Sequence, residues 1–336
     1  MFVYVAVSWH DIDLFRKTQT HSITFGLVTT IVPQLLGTAF GLAFGYHIIP
    51  AIVIGSMLAS HTLISLPIIT RLGAPGLEPV VVTMGATMVS DTLSLIIFGI
   101  CVSTYTTGFS MSGLALQIVE VAVFVPLILI GVGRGGAWIL SRLRDNQAGY
   151  FLTMLAIMVV AGVLADLINL PDIVGAFLAG GAVNVAVGDH PAKEKLHFFG
   201  KALFVPIFFI VTGFLIVPIA VGRTILDNFW LVAGIIGSLI LGKGIAAAIA
   251  GRAFGYGRQA TLTMWAMTMP QVAATLAAAM VGYDTFNAAG ERLLAEEIFN
   301  ANLVLLVVTS LLGPVLTELF TPGMITEEAR TKKATA

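Results

Sequence analysis

Long apolar segments separated by short polar connections run along the whole chain. A membrane-spanning helix needs about 20 apolar residues, and lipid requires each span to satisfy its own backbone hydrogen bonds. The strict alternation of a transmembrane β-barrel is absent from the sequence. We therefore predict an all-α polytopic membrane protein of about ten transmembrane helices. The predicted segments are A (22–46), B (49–70), C (80–103), D (114–133), E (150–168), F (173–188), G (202–221), H (229–250), I (260–281) and J (298–320).

Composition supports the membrane class and excludes several others. Hydrophobic residues make up 57% of the 336 residues and charged residues 10%, whereas a soluble domain is about 45–50% apolar and about 25% charged. A soluble enzyme, a nucleic-acid-binding protein and a disordered protein are excluded on this ground. The single cysteine, Cys101, rules out an intrachain disulfide and a cysteine metal site. We expect no cofactor, no nucleic-acid partner, and no metal other than a transported cation.

Basic residues distribute unequally between the two membrane faces of this helix arrangement. Fourteen of the 17 lysines and arginines lie in loops on the face of the N-terminus, here called side 1. Arg223 and Arg292 lie on the opposite face, side 2, and Lys243 lies within segment H. Cytoplasmic loops are enriched in lysine and arginine. We therefore predict that side 1 and both termini are cytoplasmic, in the plasma membrane of a bacterium or an archaeon.

One aspartate lies at the centre of a predicted span. Asp91 occupies the middle of segment C, with Thr87 four residues before it and Ser94 three residues after it. This spacing puts both hydroxyls on the helix face of the carboxylate, and Ser90 adjoins it. Carboxylate and hydroxyl oxygens suit a hard cation, so Asp91 is a candidate site for cation binding. The alternative is a protonated aspartic acid that hydrogen-bonds to a neighbouring helix.

Two further ionisable residues lie deep within predicted spans, where charges are rare and usually functional. Lys243 is predicted to form an ion pair with Asp91 that breaks when a cation binds, and desolvation would also let it carry a proton. Its alternative is to extend its ammonium group to the side 1 interface. Glu120 in segment D is an accessory candidate, with an interhelical hydrogen bond as the alternative.

Polar residues and a proline interrupt two of the apolar segments. The residues concerned are Ser60, His61, Thr62 and Pro67 in segment B, and Thr268, Pro270 and Gln271 in segment I. A proline removes one helix hydrogen bond and clashes with the preceding turn. Each interruption alone would be read as a proline kink, and His61 alone as a packing residue.

Their positions favour a different interpretation. Segment B is the second member of the triple A–C, and segment I is the second member of the triple H–J. The triples are offset by an odd number of segments, so they cross the membrane in opposite directions. Interrupted helices at matching places in two inverted repeats indicate a secondary transporter. We therefore predict core repeats at 21–103 and 229–321, intervening helices at 104–228, and a cytoplasmic tail at 322–336.

Several stretches resemble the monovalent cation:proton antiporter-2 family, which has the sodium/hydrogen exchanger fold and includes Kef-like transporters. The similar stretches are SHTLISLPIITRLG (60–73), GATMVSD (85–91), IVGAFLAG (173–180), KALFVPIFFIVTG (201–213), and Lys243 with GRAFGY (251–256). The resemblance implies two inverted three-helix units with crossing unwound helices, and a dimerisation domain and hence a homodimer. It also implies that Asp91 binds the ion and that Lys243 can pair with it.

The chain departs from this family in two respects. Electrogenic members often carry a carboxylate where this chain has Ser90, and Kef-like exchangers have glutamine there, so the ion and the stoichiometry stay open. Family members also begin with further helices, and the sequence at 9–14 resembles the end of one of them. We therefore expect residues 1–20 to be a stub, the end of a helix that is missing from an N-terminally truncated chain.

The sequence therefore predicts a transporter rather than an enzyme. The main hypothesis is exchange of Na⁺ or K⁺ for H⁺ by alternating access at Asp91. A sodium-coupled organic-anion symporter on a related fold and a non-transporting truncated remnant are the alternatives. An intramembrane enzyme would need a nucleophile–base pair or a carboxylate dyad, and neither is evident around Asp91 or His61.

Overall fold

A computed structural model describes residues 12–108, 110–143, 146–187 and 218–335, together with isolated positions between 195 and 214. Helices make up the regular secondary structure of these residues. They are α1 Ile12–Ala43, α2 Ile48–Ala59, α3 Leu66–Arg71, α4 Glu78–Thr107, α5 Met111–Pro126, a π-helix Leu127–Gly136, α6 Ala137–Arg142, α7 Gln147–Asp166, α8 Asp172–Val187, α9 Pro218–Asp227, α10 Phe229–Phe254, α11 Arg258–Thr268, α12 Ala273–Asp284 and α13 Glu296–Thr335. The predicted all-α class is confirmed.

Within the described residues, seven helices are long and apolar enough to cross a membrane. They are Thr18–Ala43, Glu78–Thr107, Met111–Arg142, Gln147–Asp166, Phe229–Phe254, Arg258–Asp284 and Glu296–Ala329. Segments B and F correspond to shorter apolar helices, Ile48–Ala59 and Asp172–Val183. Half of segment G and residues 1–11 of the predicted stub lie outside the described residues, while residues 12–20 form the beginning of α1. The chain is an integral membrane protein, but the count of ten spans is not confirmed.

The described helices group into two compact units. One unit contains residues 99–218 and 286–291, and the other contains residues 12–98, 219–285 and 292–335. We call the second the core unit, because it contains nearly all of both predicted triples. In it α1 packs against α2 and α10, and α13 packs against α11 and α12. Nearly all of the candidate site residues therefore belong to the core unit.

Both predicted interruptions are present in the core unit. The first helix of segment B ends at Ala59, and α3 begins at Leu66 with Pro67 in its first turn. Segment I divides into α11, which ends at Thr268, and α12, which begins at Ala273. Proline lacks the backbone N–H that a helix interior needs, but the first turn of a helix tolerates it. This explains why α3 begins at Leu66, with Pro67 in its first turn, and is not kinked by the proline.

Buried apolar side chains from several helices pack together in the side 1 half of the core unit. Phe25 of α1, Val82 of α4, Ala247 of α10 and Met264 of α11 belong to one buried cluster. A second cluster joins the first interruption to α4, α11 and α13. Because tightly packed interiors hold their side chains in fixed positions, these clusters fix α3, which follows the first interruption, and α11, which precedes the second.

A polar cluster joins α1, α4 and the turn after α10 on side 1. Tyr256 donates a hydrogen bond of 2.7 Å to the carboxylate of Glu78, and His21 Nδ1 lies 3.2 Å from the same oxygen. The turn itself needs Gly255, which has a φ of 71° and ends α10. Burial and the bond to Glu78 raise the pKa of the Tyr256 phenol above its usual range. The cluster therefore ties three elements of the core unit together.

The other unit contains α5 to α8 and the π-helix. A hydrogen bond of 2.7 Å runs from Ser103 Oγ to Gln117 Oε1, and Gln117 Nε2 donates to the carbonyl of Ile168 at 3.0 Å. The π-helix Leu127–Gly136 contains four glycines in ten residues. Glycine lacks a β-carbon and so accommodates the wider backbone turns. Glu120 lies half-buried on α5, so this candidate belongs to a different unit from Asp91.

Candidate functional site

The two interrupted helices meet at their breaks. The backbone N–H of Thr62 donates a hydrogen bond of 2.8 Å to the carbonyl of Pro270. On the other side of the second break, the N–H of Gln271 donates to Thr309 Oγ1 of α13 at 3.1 Å. Buried backbone groups need partners, and these two bonds supply partners that the broken helices lack. Residues that are 208 positions apart in the sequence are therefore in direct contact.

The side chain of Gln271 bridges the two breaks a second time. Its amide nitrogen donates to the carbonyls of Ser60 at 2.5 Å and Leu58 at 3.4 Å. Its amide oxygen accepts from Thr275 Oγ1 at 2.5 Å and from Ser60 Oγ at 3.3 Å. Gln271 is fully buried, so its donors and its acceptor are used within the protein. We conclude that Gln271 supports the unwound geometry of both segments.

Lys243 is fully buried on α10 and does not reach the interface. Its ammonium group donates to the carbonyl of Ala59, the last residue of α2, at 2.6 Å. It also donates to the carbonyl of Thr29 at 3.1 Å. A cation at a helix C-terminus is favoured by the helix dipole. The alternative that Lys243 extends to the side 1 interface is therefore wrong.

The Thr29 carbonyl is available to Lys243 because of a proline. Pro33 lies inside α1, four residues after Thr29, and it has no N–H with which to close the normal helix hydrogen bond. Gly242 allows the close approach, since a β-carbon there would lie 2.9 Å from the Cα of Pro33. Pro33 and Gly242 therefore create the position in which the ammonium group of Lys243 is held.

Asp91 lies beside the first break. Its carboxylate accepts a hydrogen bond of 3.2 Å from the backbone N–H of His61. Within the described residues no ion pair joins this carboxylate to Lys243, whose ammonium group donates to the two carbonyls instead. The predicted ion pair is therefore not formed in this structure. Among the described residues the carboxylate accepts this one hydrogen bond, so its other lone pairs can bind a cation or a proton.

The His61 ring lies between the hydroxyls of Thr87 and Ser90, two residues of α4 that were predicted to belong to the site. Its Nε2 atom lies 2.9 Å from Thr87 Oγ1, and its Nδ1 atom lies 3.1 Å from Ser90 Oγ. Ser94 Oγ donates to the backbone carbonyl of Asp91 at 3.0 Å. The three hydroxyls therefore surround Asp91 without bonding to its carboxylate. Contacts to both ring nitrogens hold α4 and the first break in a fixed relation.

The remaining candidates divide between the site and its surroundings. Thr268 is fully buried and donates to the carbonyl of Trp265 at 3.0 Å, so it stabilises the end of α11. Pro67 is exposed in the first turn of α3, so it helps to end the break and does not line the site. The carboxylate of Glu120 has no hydrogen-bond partner among the described residues, so the interhelical bond considered for it is not seen there.

Sequence reasoning missed three residues of this site, namely Thr29, Pro33 and Thr275. Pro33 had a detectable signal, because a proline inside a predicted span frees one identifiable carbonyl. Thr275 lies four residues after Gln271, the spacing at which side chains on a helix meet. The partner of the Thr29 carbonyl had no sequence signal, because Lys243 lies 214 residues away.

Chemically, the site presents one carboxylate and several neutral oxygens inside the membrane, which suits a hard cation or a proton.

Comparisons with known proteins agree with this chemistry. A family model described as "Sodium/hydrogen exchanger, transmembrane" matches residues 9–320. The chain is 45% identical over 314 residues to the Na⁺/H⁺ antiporter NhaS5 of Synechocystis sp., and the match covers 93% of this chain. The chain spans 45% of the length of that relative.

Two more distant relatives match over most of their length. The probable Na⁺/H⁺ antiporter 3 of Methanocaldococcus jannaschii is 24% identical over 328 residues, covering 94% of this chain and 80% of that protein. The Na⁺/H⁺-K⁺ antiporter GerN of Bacillus cereus is 23% identical over 318 residues, covering 94% of this chain and 79% of that protein. The similarity therefore extends beyond the residues around the two breaks.

Proposed function

Because the chain belongs to the family of transmembrane sodium/hydrogen exchangers, we propose that it is a secondary antiporter that exchanges Na⁺ or K⁺ for H⁺ at Asp91. The observation that carries this proposal is the position of the Asp91 carboxylate beside two interrupted helices. The buried ammonium group of Lys243 does not pair with it, because it donates to two backbone carbonyls. Interrupted helices of this kind form ion sites in inverted-repeat transporters. A transport function also agrees with the family assignment, which indicates a transporter and not an enzyme.

Competition for one carboxylate explains how exchange would be coupled. A cation and a proton each neutralise Asp91, so binding of either one displaces the other. The N–H of His61 bonds to one carboxylate oxygen and orients it, while Ser90, Thr87 and Ser94 supply neutral oxygens nearby. Movement of the core repeats at 21–103 and 229–321 relative to residues 104–228 would then expose Asp91 to each side in turn. The two helix breaks would move together with the core repeats; their residues are Ser60, His61, Thr62, Thr268, Pro270 and Gln271.

The position of Lys243 supports electroneutral exchange. Its ammonium group has two carbonyl acceptors that do not depend on the state of Asp91. We therefore propose that Lys243 keeps its proton throughout the cycle and that Asp91 alone carries the transported proton. Clamping the membrane potential of vesicles at different values should then leave the exchange rate unchanged. A rate that follows the potential would show that Lys243 also releases a proton.

The experiment that tests the function uses purified protein in vesicles with a ΔpH-sensitive dye. Adding Na⁺ or K⁺ should dequench the dye with the wild-type chain and should not with Asp91→Asn. Asp284→Asn is the matched control, because Asp284 is an exposed aspartate at the end of α12 and should retain full activity. Equal activity in Asp91→Asn and the wild type would overturn the site assignment. Inactive wild-type protein would indicate the non-transporting alternative.

An organic-anion symporter receives less support from this site. Lys243 of α10 is the only buried lysine or arginine among the described residues, and it already donates to two carbonyls. An anionic substrate would therefore meet no free positive side chain there. Sodium-driven uptake of a labelled organic anion, without any cation–proton competition, would reverse this conclusion.

We also propose the cellular setting from the charge distribution. The excess of basic residues on side 1 favours cytoplasmic termini in a bacterial or archaeal plasma membrane, and the family resemblance favours a homodimer. Labelling of single introduced cysteines in whole cells would test the orientation, after Cys101 has been replaced. Cross-linking in membranes would test the dimer.

A further inference from the structure

A small cavity lies next to Asp91 on its side 2 flank. Ser94 and Leu95 line it from α4, three and four residues after Asp91 in the direction of side 2, which corresponds to about 5 Å along the helix axis. Phe98 lines it one turn further on, and α2 and α12 complete its wall. Its polar lining consists of four hydroxyls, those of Ser56, Ser60, Ser94 and Thr275.

The protons of two of these hydroxyls are directed at carbonyl oxygens outside the cavity lining. Ser56 Oγ donates to the carbonyl of Val53 at 2.8 Å, within α2. Ser94 Oγ donates to the carbonyl of Asp91 at 3.0 Å, within α4. A hydroxyl has one proton and two acceptor lone pairs. Once its proton is used in this way, the hydroxyl presents only lone pairs to other groups.

The hydroxyls of Thr275 and Ser60 also have acceptors for their protons, including the side-chain oxygen of Gln271. Thr275 Oγ1 donates to Gln271 Oε1 at 2.5 Å. Ser60 Oγ has the same amide oxygen at 3.3 Å and the carbonyl of Met57 at 3.4 Å as acceptors. All four hydroxyls are at most 3% exposed, so their orientation is set by the protein. Ser60 Oγ and Thr275 Oγ1 also lie 3.2 Å apart. The polar part of the cavity lining therefore presents oxygen lone pairs, which attract cations and repel anions, beside five apolar residues.

We propose that this cavity is a second cation-binding position, where a dehydrated monovalent alkali cation pauses between Asp91 and the side 2 face. The inference rests on the proposed antiport function and adds a binding position to it. Neutral oxygens can replace the hydration shell of an alkali ion. Because no charge of its own lines the cavity, binding is weak enough for the ion to move on to Asp91 or to leave, as multi-site transport requires.

Ser56→Ala is the sharpest perturbation. The hydroxyl of Ser56 bonds only within its own helix, so its removal takes one oxygen from the cavity and little else. Ser310→Ala is the matched control, because Ser310 Oγ likewise donates to the carbonyl three residues before it, that of Val307 at 3.1 Å, but does not line the cavity. A second pair, Thr275→Val and Thr275→Ser, removes and restores the hydroxyl at nearly constant volume.

Two measurements are made on each variant: the KM for Na⁺ in the vesicle assay, and the stabilisation of the purified protein by NaCl relative to choline chloride. Loss of one oxygen from a cation contact should raise the KM and the NaCl concentration for half-stabilisation about tenfold in Ser56→Ala and Thr275→Val. Both should stay within about twofold of the wild-type values in Ser310→Ala, and Thr275→Ser should bring both back toward the wild-type values because it keeps the hydroxyl.

The outcomes separate this inference from the proposed function. Normal exchange with wild-type KM and wild-type stabilisation in Ser56→Ala and Thr275→Val would overturn the cavity site alone. An inactive wild-type protein that NaCl still stabilises, but whose Ser56→Ala variant has lost that effect, would overturn the antiport function and keep the cation site. Absence of both exchange and NaCl stabilisation in the wild type would overturn both.

Discussion

The two hydrogen bonds from Lys243 to backbone carbonyls lead to a prediction about Pro33, which lies on another helix. Replacing Lys243 by methionine should leave the carbonyls of Ala59 and Thr29 without donors. In a Pro33→Ala background the restored N–H at position 33 can bond to the Thr29 carbonyl, as in any regular helix. The damage caused by Lys243→Met should therefore be smaller in the Pro33→Ala background than in the wild type.

The magnitude follows from the number of carbonyls left unpaired. A buried polar group without a partner costs about 1–3 kcal/mol, so two carbonyls correspond to about 2–6 kcal/mol, and one corresponds to about 1–3 kcal/mol. The predicted coupling between the two substitutions is the difference, about 1–3 kcal/mol in the direction of rescue. The desolvation of the ammonium group and the better helix propensity of alanine enter both sides of the cycle and cancel.

Unfolding in mixed micelles, followed by circular dichroism, would supply the free energies of the four proteins in this cycle. Pro314→Ala combined with Lys243→Met is the matched control, because Pro314 also lies inside a helix, and neither carbonyl that accepts from Lys243 belongs to that helix. Its effect should add to that of Lys243→Met within about 0.5 kcal/mol. Simple additivity of Pro33→Ala and Lys243→Met would refute the assignment of the Thr29 carbonyl as a partner of Lys243.

Three further substitutions test the contacts around the breaks. Gln271→Leu removes the amide that bridges both breaks and should lower stability by about 3 kcal/mol; an unchanged melting temperature in detergent would contradict this. Gly313→Ala would place a β-carbon 2.5 Å from Cγ of Pro270, and such overpacking should cost about 1–3 kcal/mol in the same assay. Glu318→Gln breaks an exposed ion pair of 2.7 Å with Arg71 and should change stability by less than about 1 kcal/mol, so a larger loss would refute the surface assignment.

Both interruptions and the approximate positions of the long apolar helices were readable from local sequence, although α1 begins ten residues before segment A and α13 continues through the predicted tail. The polar runs that begin at Ser60 and Thr268 each stand beside a proline, and no pairing with distant residues is needed to see that an apolar helix fails there. The central position of Asp91 is equally local, because it depends only on the apolar residues that flank it. Lipid enforces these patterns strongly, since unsatisfied backbone groups are costly there.

The bonds within the site could not be read in the same way. Lys243 and Asp91 are the two opposite charges deep within predicted spans of the core, so pairing them is the natural expectation from the sequence. Two backbone carbonyls occupy the ammonium group instead. One is exposed by a proline on α1 and the other by the end of α2, and their distance from α10 depends on how three helices pack.

The sequence by itself therefore determined the membrane class, the interrupted segments and the residue types of the site, because hydropathy and proline chemistry act over a few neighbouring positions. Only the tertiary structure decided which groups satisfy one another: Gln271 across both breaks, His61 between Thr87 and Ser90, and Lys243 on Thr29 and Ala59. Hydrogen bonds form between atoms about 3 Å apart, and such separations between distant parts of the chain are set by helix packing, which no local pattern encodes.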